Sequence, residues 1–179
     1  MPNLTPILVK LLRAQSNFLR AADSISAASW NTPPAPNSWS TAEIVAHLCH
    51  IERYVIGTAD RIIRHSPRPI PFHKRFRLPL FLVEVRIRRL KSPLPVDPEL
   101  LAEKEAMLAD LRGVRERTLA FLDETKFRDL TSYYWPHPFL GMFGFYTWME
   151  MIASHQIRHT KQIHEIATTL PKHVVSSQK

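Results

Sequence analysis

The sequence predicts an all-α protein, a four-helix bundle, on three observations. Four glycines against fifteen prolines in 179 residues suit helices joined by proline-rich connections better than a sheet with glycine turns. Apolar residues recur at helical spacing in four long stretches that proline enters only at the first turn. Capping residues stand where these stretches begin. The length and a hydrophobic content of 45% fit one domain, 1–179, with a single sizeable core.

The first helix, about 5–27, opens at Thr5-Pro6, read as a cap followed by proline at the first helical position. Leu8, Leu11, Leu12, Gln15, Leu19, Ala22 and Ile25 recur along it, and the loop SWNTPPAPNS ends it. The second, about 40–65, begins with Ser40-Thr41-Ala42-Glu43, a capping box, and carries Ile44, Leu48, Ile51, Val55 and Ile62 as its stripe. A connection rich in proline and arginine follows over 66–96. Around Leu80 to Leu90 it fits a short helix or a strand, and periodicity does not choose between them. Asp97-Pro98 caps the third helix, about 97–123, with Leu101, Leu108, Leu111, Leu119 and Leu122 inward. A loop containing Tyr133, Trp135, His137 and Gly141 leads to the fourth helix, about 143–170, which stops at Pro171.

No apolar run reaches the roughly eighteen residues of a membrane span. The N-terminus lacks the basic start and long apolar stretch of a signal peptide, so a cytoplasmic location is expected. Cys49, the single cysteine, excludes an intramolecular disulfide and a thiolate metal cluster; one step off the stripe, it is read as structural. The net charge of +8 is local. Between Arg64 and Lys91 stand nine basic residues and one acid, Glu84, while the rest of the chain balances fifteen against fifteen. Phe72, Phe76 and Phe81 interleave with these charges, but the simpler reading is a solvated connection, and nucleic acid is not the expected partner.

On the fourth helix Trp148, Ile152, His155, His159, Ile163 and Ile166 fall on one side. His155 and His159, four apart, stack their imidazoles on that face, the spacing at which one helix chelates one ion. His47 lies between Ile44 and Ile51 on the second helix and also points inward. Isolated core histidines are the alternative, but burying three imidazoles without a charge or partner is costly. Three nitrogen ligands leave a coordination position open, the pattern of a catalytic site. His50, three residues further along, is the rival for His47 but falls outside the stripe and is read as solvated; His65, His73, His137, His164 and His173 are read as surface or loop residues. Gln162 faces inward, either orienting a ligand or simply at the helix edge. Gln156 follows His155 where the metalloprotease helix motif has its glutamate, so peptide hydrolysis is rejected.

Trp39-Ser40-x-x-Glu43-x-x-x-His47-Leu48-x-x-x-Glu52, then His137-Pro138-x-x-Gly141, then His155-x-x-x-His159-x-x-Gln162-Ile163 resembles the DinB-like superfamily, close to its YfiT-type bacillithiol transferase branch. The resemblance covers most of the chain in the right order. It implies a bundle of up-down-down-up order, often a homodimer, with zinc or nickel on His47, His155 and His159. It also implies chemistry that uses a low-molecular-weight thiol of the bacillithiol, mycothiol or glutathione type against a small electrophile.

The leading expectation is therefore a divalent-metal-dependent thiol S-transferase. A coordinated thiol is deprotonated, so a nucleophile needs no protein cysteine. Arg86, Arg88 and Arg89 are expected to fork onto carboxylates of the thiol. Two alternatives stay open: a metal-dependent hydrolase of a small substrate, which needs the same three ligands, and a non-catalytic metal-binding stress-response protein.

Overall fold

In the computed structural model, which describes residues 3–67, 79–84 and 101–170, the chain forms α1 (Thr5–Asp23), α2 (Thr41–Ile63), a short α3 (Phe81–Glu84), α4 (Lys104–Thr125) and α5 (Phe145–Thr169). A β-hairpin of β1 (Tyr134–His137) and β2 (Gly141–Gly144) precedes α5. The four long helices make the expected four-helix bundle of up-down-down-up order. α1 lies against α5 and α2 against α4, while α2 and α5 also meet. The second and third long helices, α2 and α4, are joined by a long connection that includes α3, which a pair running in the same direction requires.

Helix ends differ from expectation at several points. The N-cap of α1 is Leu4, which makes no side-chain cap; Asn3 Oδ1 instead accepts from the Thr5 N–H at 2.9 Å. The helix stops at Asp23, and 27–29 form a separate 3-10 turn capped by Ser26. The buried stripe of α1 is Ile7, Leu11, Ala14, Phe18 and Ala21 with Ala22, one step from the expected set, so Leu12 is half exposed. Phe18, wholly buried, sets that rotation because it offers more apolar area than Leu12 or Leu19. α2 begins as expected: Ser40 Oγ accepts from the Glu43 N–H, and Glu43 Oε2 from the Ser40 N–H at 2.7 Å. For α4 the proposed cap at Asp97-Pro98 lies outside the described residues; 101–103 are not helical, and the helix starts at Lys104.

The segment before α5, expected as loop, is an antiparallel hairpin pairing Trp135 with Phe143 and His137 with Gly141. Gly141 adopts φ 88°, which L side chains rarely take, and it closes a three-residue loop of the kind such hairpins favour. Because 143 and 144 belong to β2, α5 starts at Phe145 and not at about 143. Trp135 stacks on Trp148 with ring centroids 5.2 Å apart, and Trp148 Nε1 donates to the Trp135 carbonyl at 3.1 Å. The hairpin is thus fixed to the first two turns of α5.

Two apolar clusters, each drawing on all four long helices, fill the bundle. One adds the hairpin and includes Leu11, Val55, Phe121, Phe143 and Met149; the other includes Phe18, Trp30, Ile44, Leu111 and Ile163.

Candidate metal centre

Two helices supply the site. α2 carries His47 one turn past Ile44, and α5 carries His155 and His159 on the face that also buries Ile152 and Ile163. The three imidazoles selected from the sequence converge. His155 Nε2 lies 3.3 Å from His47 Nε2 and 3.1 Å from His159 Nε2. Nitrogen atoms of all three lie within 4.8 Å of one another, and no Cys, Asp or Glu among the described residues joins them.

His47 and His159 are each 6% exposed and His155 is half-buried. Burial, followed by His50, lowers the pKa of His47 to about 4. Burial, then His159 and His47, holds His155 well below the usual histidine value. The neutral imidazole, which can coordinate, is therefore the favoured form. Gln162 Oε1 lies 3.0 Å from His159 Nδ1. Accepting there, it keeps a proton on Nδ1 and leaves the Nε2 lone pair aimed at the other two rings. Nitrogen lone pairs crowded to one point repel unless cationic charge or shared protons lie between them. The 3.1 and 3.3 Å separations are close to the edge of about 3.3 Å set by a tetrahedral ion with bonds of 2.0–2.1 Å. The residues fit a divalent metal ion.

Trp39 covers one side, its ring 4.8 Å from that of His47 and nearly parallel to that of His159 at 6.2 Å. Behind the triad is a buried polar network. Arg115 of α4 binds Glu52 of α2 through Nε at 2.7 Å and Nη2 at 2.9 Å, and Nη2 also donates to Gln156 Oε1 at 3.0 Å. Nη1 reaches the Leu11 carbonyl of α1, and Thr118 donates to Glu52 at 2.7 Å. One guanidinium thereby ties together all four long helices.

Sequence reasoning missed this network, because Arg115 occupies an inward position of α4 that a charge disguises. His137 also corrects its reading as a surface or loop residue. It lies on β1, half-buried, with its ring against Phe143 and Trp148 and its pKa lowered by burial to about 4. The spacing Trp135-x-His137, facing Gly141-x-Phe143 across a short glycine turn, was a signal that could have shown the hairpin. His50 is exposed, as expected. Cys49 is wholly inside, with its thiol pushed up to about 12, first by burial and then by Asp110, so no thiolate nucleophile comes from it. Arg86, Arg88 and Arg89 lie outside the described residues. None of the described helices is long and apolar enough to cross a membrane.

The model of the DinB superfamily matches residues 10–163. An uncharacterized Bacillus subtilis protein, YuaE, is 26% identical over 138 residues, 76% of this chain and 82% of its own length. Among solved structures, YfiT from Bacillus subtilis, described as a probable metal-dependent hydrolase with an unusual four-helix bundle topology, matches with TM-score 0.63 at 14% identity. That match covers 92% of this chain and 85% of YfiT.

Proposed function

The chain belongs to the DinB superfamily, and on that premise we propose a divalent-metal-dependent enzyme that transfers a low-molecular-weight thiol to a small electrophile. The observation that carries the reading is the convergence of His47, His155 and His159 Nε2 atoms, at 3.1 and 3.3 Å from the central one. These three side chains would hold zinc or nickel, both suited to imidazole. Bound there, the ion would supply Lewis acidity that makes a coordinated thiol or water nucleophilic at neutral pH.

The chain's own residues prepare that site. Gln162 fixes the tautomer and orientation of His159. Trp39 excludes water from the side shared by His47 and His159. Arg115 holds α2 against α5 through Glu52 and Gln156. Gln156 is thereby turned into the buried network, so the residue beside His155 is no general base.

A hydrolase of a small substrate is the second reading, supported by the description of YfiT. The thiol reading is preferred because no Asp or Glu among the described residues joins the three imidazoles, and Glu52, in the network behind them, is held by Arg115 and Thr118. A bound thiol, once ionised, needs no further base. We also propose, on the family resemblance, a cytoplasmic homodimer in which Arg86, Arg88 and Arg89 bind carboxylates of the thiol; unchanged thiol affinity in a variant lacking all three charges rules out that last role.

The deciding experiment is elemental analysis of purified protein beside His47→Ala and His155→Ala, followed by turnover of an electrophile with and without thiol. One metal ion per chain, lost in both variants, and thiol-dependent turnover are expected. Wild type that neither carries nor takes up zinc or nickel overturns the metal reading, and thiol-independent turnover overturns the transferase.

A further inference from the structure

Trp39 lies on His47 and His159, at one end of the triad. The other end, toward the N-terminus of α5, is bordered by the hairpin, for Trp148 stands two turns before His155 on the same face and carries the His137 ring at 5.3 Å. Through Trp148, His137 stands at the hairpin end of the α5 face that carries His155 and His159, near enough to His155 to act on it electrostatically. The triad therefore lies between an indole and a second, separate imidazole.

That imidazole is held in one orientation. Phe143 and Trp148 pack on its ring at 5.0 and 5.3 Å. Its Nδ1 accepts the Phe139 N–H at 3.1 Å, so in the neutral ring the proton resides on Nε2. Nε2 has no hydrogen-bond partner among the described residues and is not fully buried, so it meets solvent. A rigid neutral donor facing solvent beside a candidate metal centre is suited to a ligand's oxygen.

We propose that His137 is a binding residue of this site, its Nε2–H donating to a carbonyl or carboxylate oxygen on the small molecule whose sulfur enters the open coordination position. The inference rests on the metal-dependent thiol reading and adds the class of ligand: a thiol with an oxygen acceptor a few bonds from sulfur. A neutral donor accepts an uncharged amide carbonyl as readily as a carboxylate, which separates His137 from any arginine.

Full-length protein loaded with Co2+ tests this through the cobalt absorption that changes when a thiol binds. The probes are mercaptopropionamide and butanethiol, both uncharged and similar in length, titrated into wild type, His137→Phe and His137→Gln. Wild type is expected to prefer the amide by roughly fivefold to tenfold, the worth of one hydrogen bond. The preference disappears in His137→Phe and returns in part in His137→Gln, while both variants still take up one Co2+, which shows that they are folded. Undiminished preference in Co2+-loaded His137→Phe overturns the role of His137 and leaves the metal reading standing. Failure of wild type to take up Co2+ overturns both.

Discussion

Arg115 and Glu52 face each other as a two-pronged ion pair, 2.7 and 2.9 Å, between side chains that are 1% and 4% exposed. Removing one partner leaves the other charge buried without compensation, which costs about 3–5 kcal/mol. Arg115→Met also strips Gln156, next to His155, of its donor. The expected outcome in urea denaturation is a loss of that size for Arg115→Met or Glu52→Leu alone, and a smaller loss for the double variant than the two added. Strict additivity would show that the pair does not act as a unit.

The contact between His159 and Gln162 is expected to bear on metal affinity more than on stability, because Gln162 is only half-buried. Gln162→Leu should weaken zinc binding by about tenfold to a hundredfold, the usual effect of losing the partner that orients a ligand imidazole. Competition with a chelator dye measures it. Gln162→Glu keeps an acceptor at Nδ1 and should keep affinity near wild type. Equal affinity in all three proteins would remove Gln162 from the site.

The four long helices were legible because their apolar stripes repeat over five or more turns and because Ser40 and Glu43 announce a start. The His47, His155 and His159 set was legible for the same reason: helix periodicity alone puts the residues on inward faces. Contacts made across elements were not. The burial of Arg115 depends on Glu52 arriving from another helix, 63 positions away. The rotation of α1 was decided by Phe18 entering a cluster shared with the other long helices, where Leu8, Leu12 and Leu19 gave an equally good local pattern. The hairpin strands are four residues each, one of them containing Pro136, too short for alternation to stand out from a loop.

Acid should destabilise the metal-free protein in a defined window. His47 titrates near 4 when folded against 6.5 when free, so between those values the unfolded chain binds a proton that the folded chain does not. Stability therefore rises with pH across the window and is complete above about 6.5; the His47 share is about 3 kcal/mol at roughly 1.4 kcal/mol per unit. His155 and His137, both lowered first by burial, act in the same direction. Urea midpoints of wild type and His47→Leu across this range check the sign: the variant should show the shallower slope. A wild-type midpoint that improves on acidification would contradict it.

Glu84, the one acid between Arg64 and Lys91, docks α3 on the bundle. Its Oε1 meets Lys10 Nζ at 2.9 Å and accepts from Ser154 Oγ at 2.8 Å, and Lys161 donates to its carbonyl at 2.9 Å. Burial raises the Glu84 pKa, but hydrogen bonds from Lys10 and Ser154 outweigh it and hold the carboxyl below its usual value. The contact is thus fully present above the ordinary carboxylate range and lost as pH falls through the lowered one. Lys10 and Glu84 are about a third exposed, so Glu84→Gln should cost under about 1 kcal/mol overall. Its effect should be local: faster amide exchange across 81–84, read by mass spectrometry. Ser154 directly precedes His155, yet its hydroxyl serves Lys10 and Glu84, and α5 itself is held by Trp148 and Arg115. Zinc affinity in Glu84→Gln should therefore equal that of wild type. A fall in affinity together with faster exchange would mean that α3 helps to shape the metal centre.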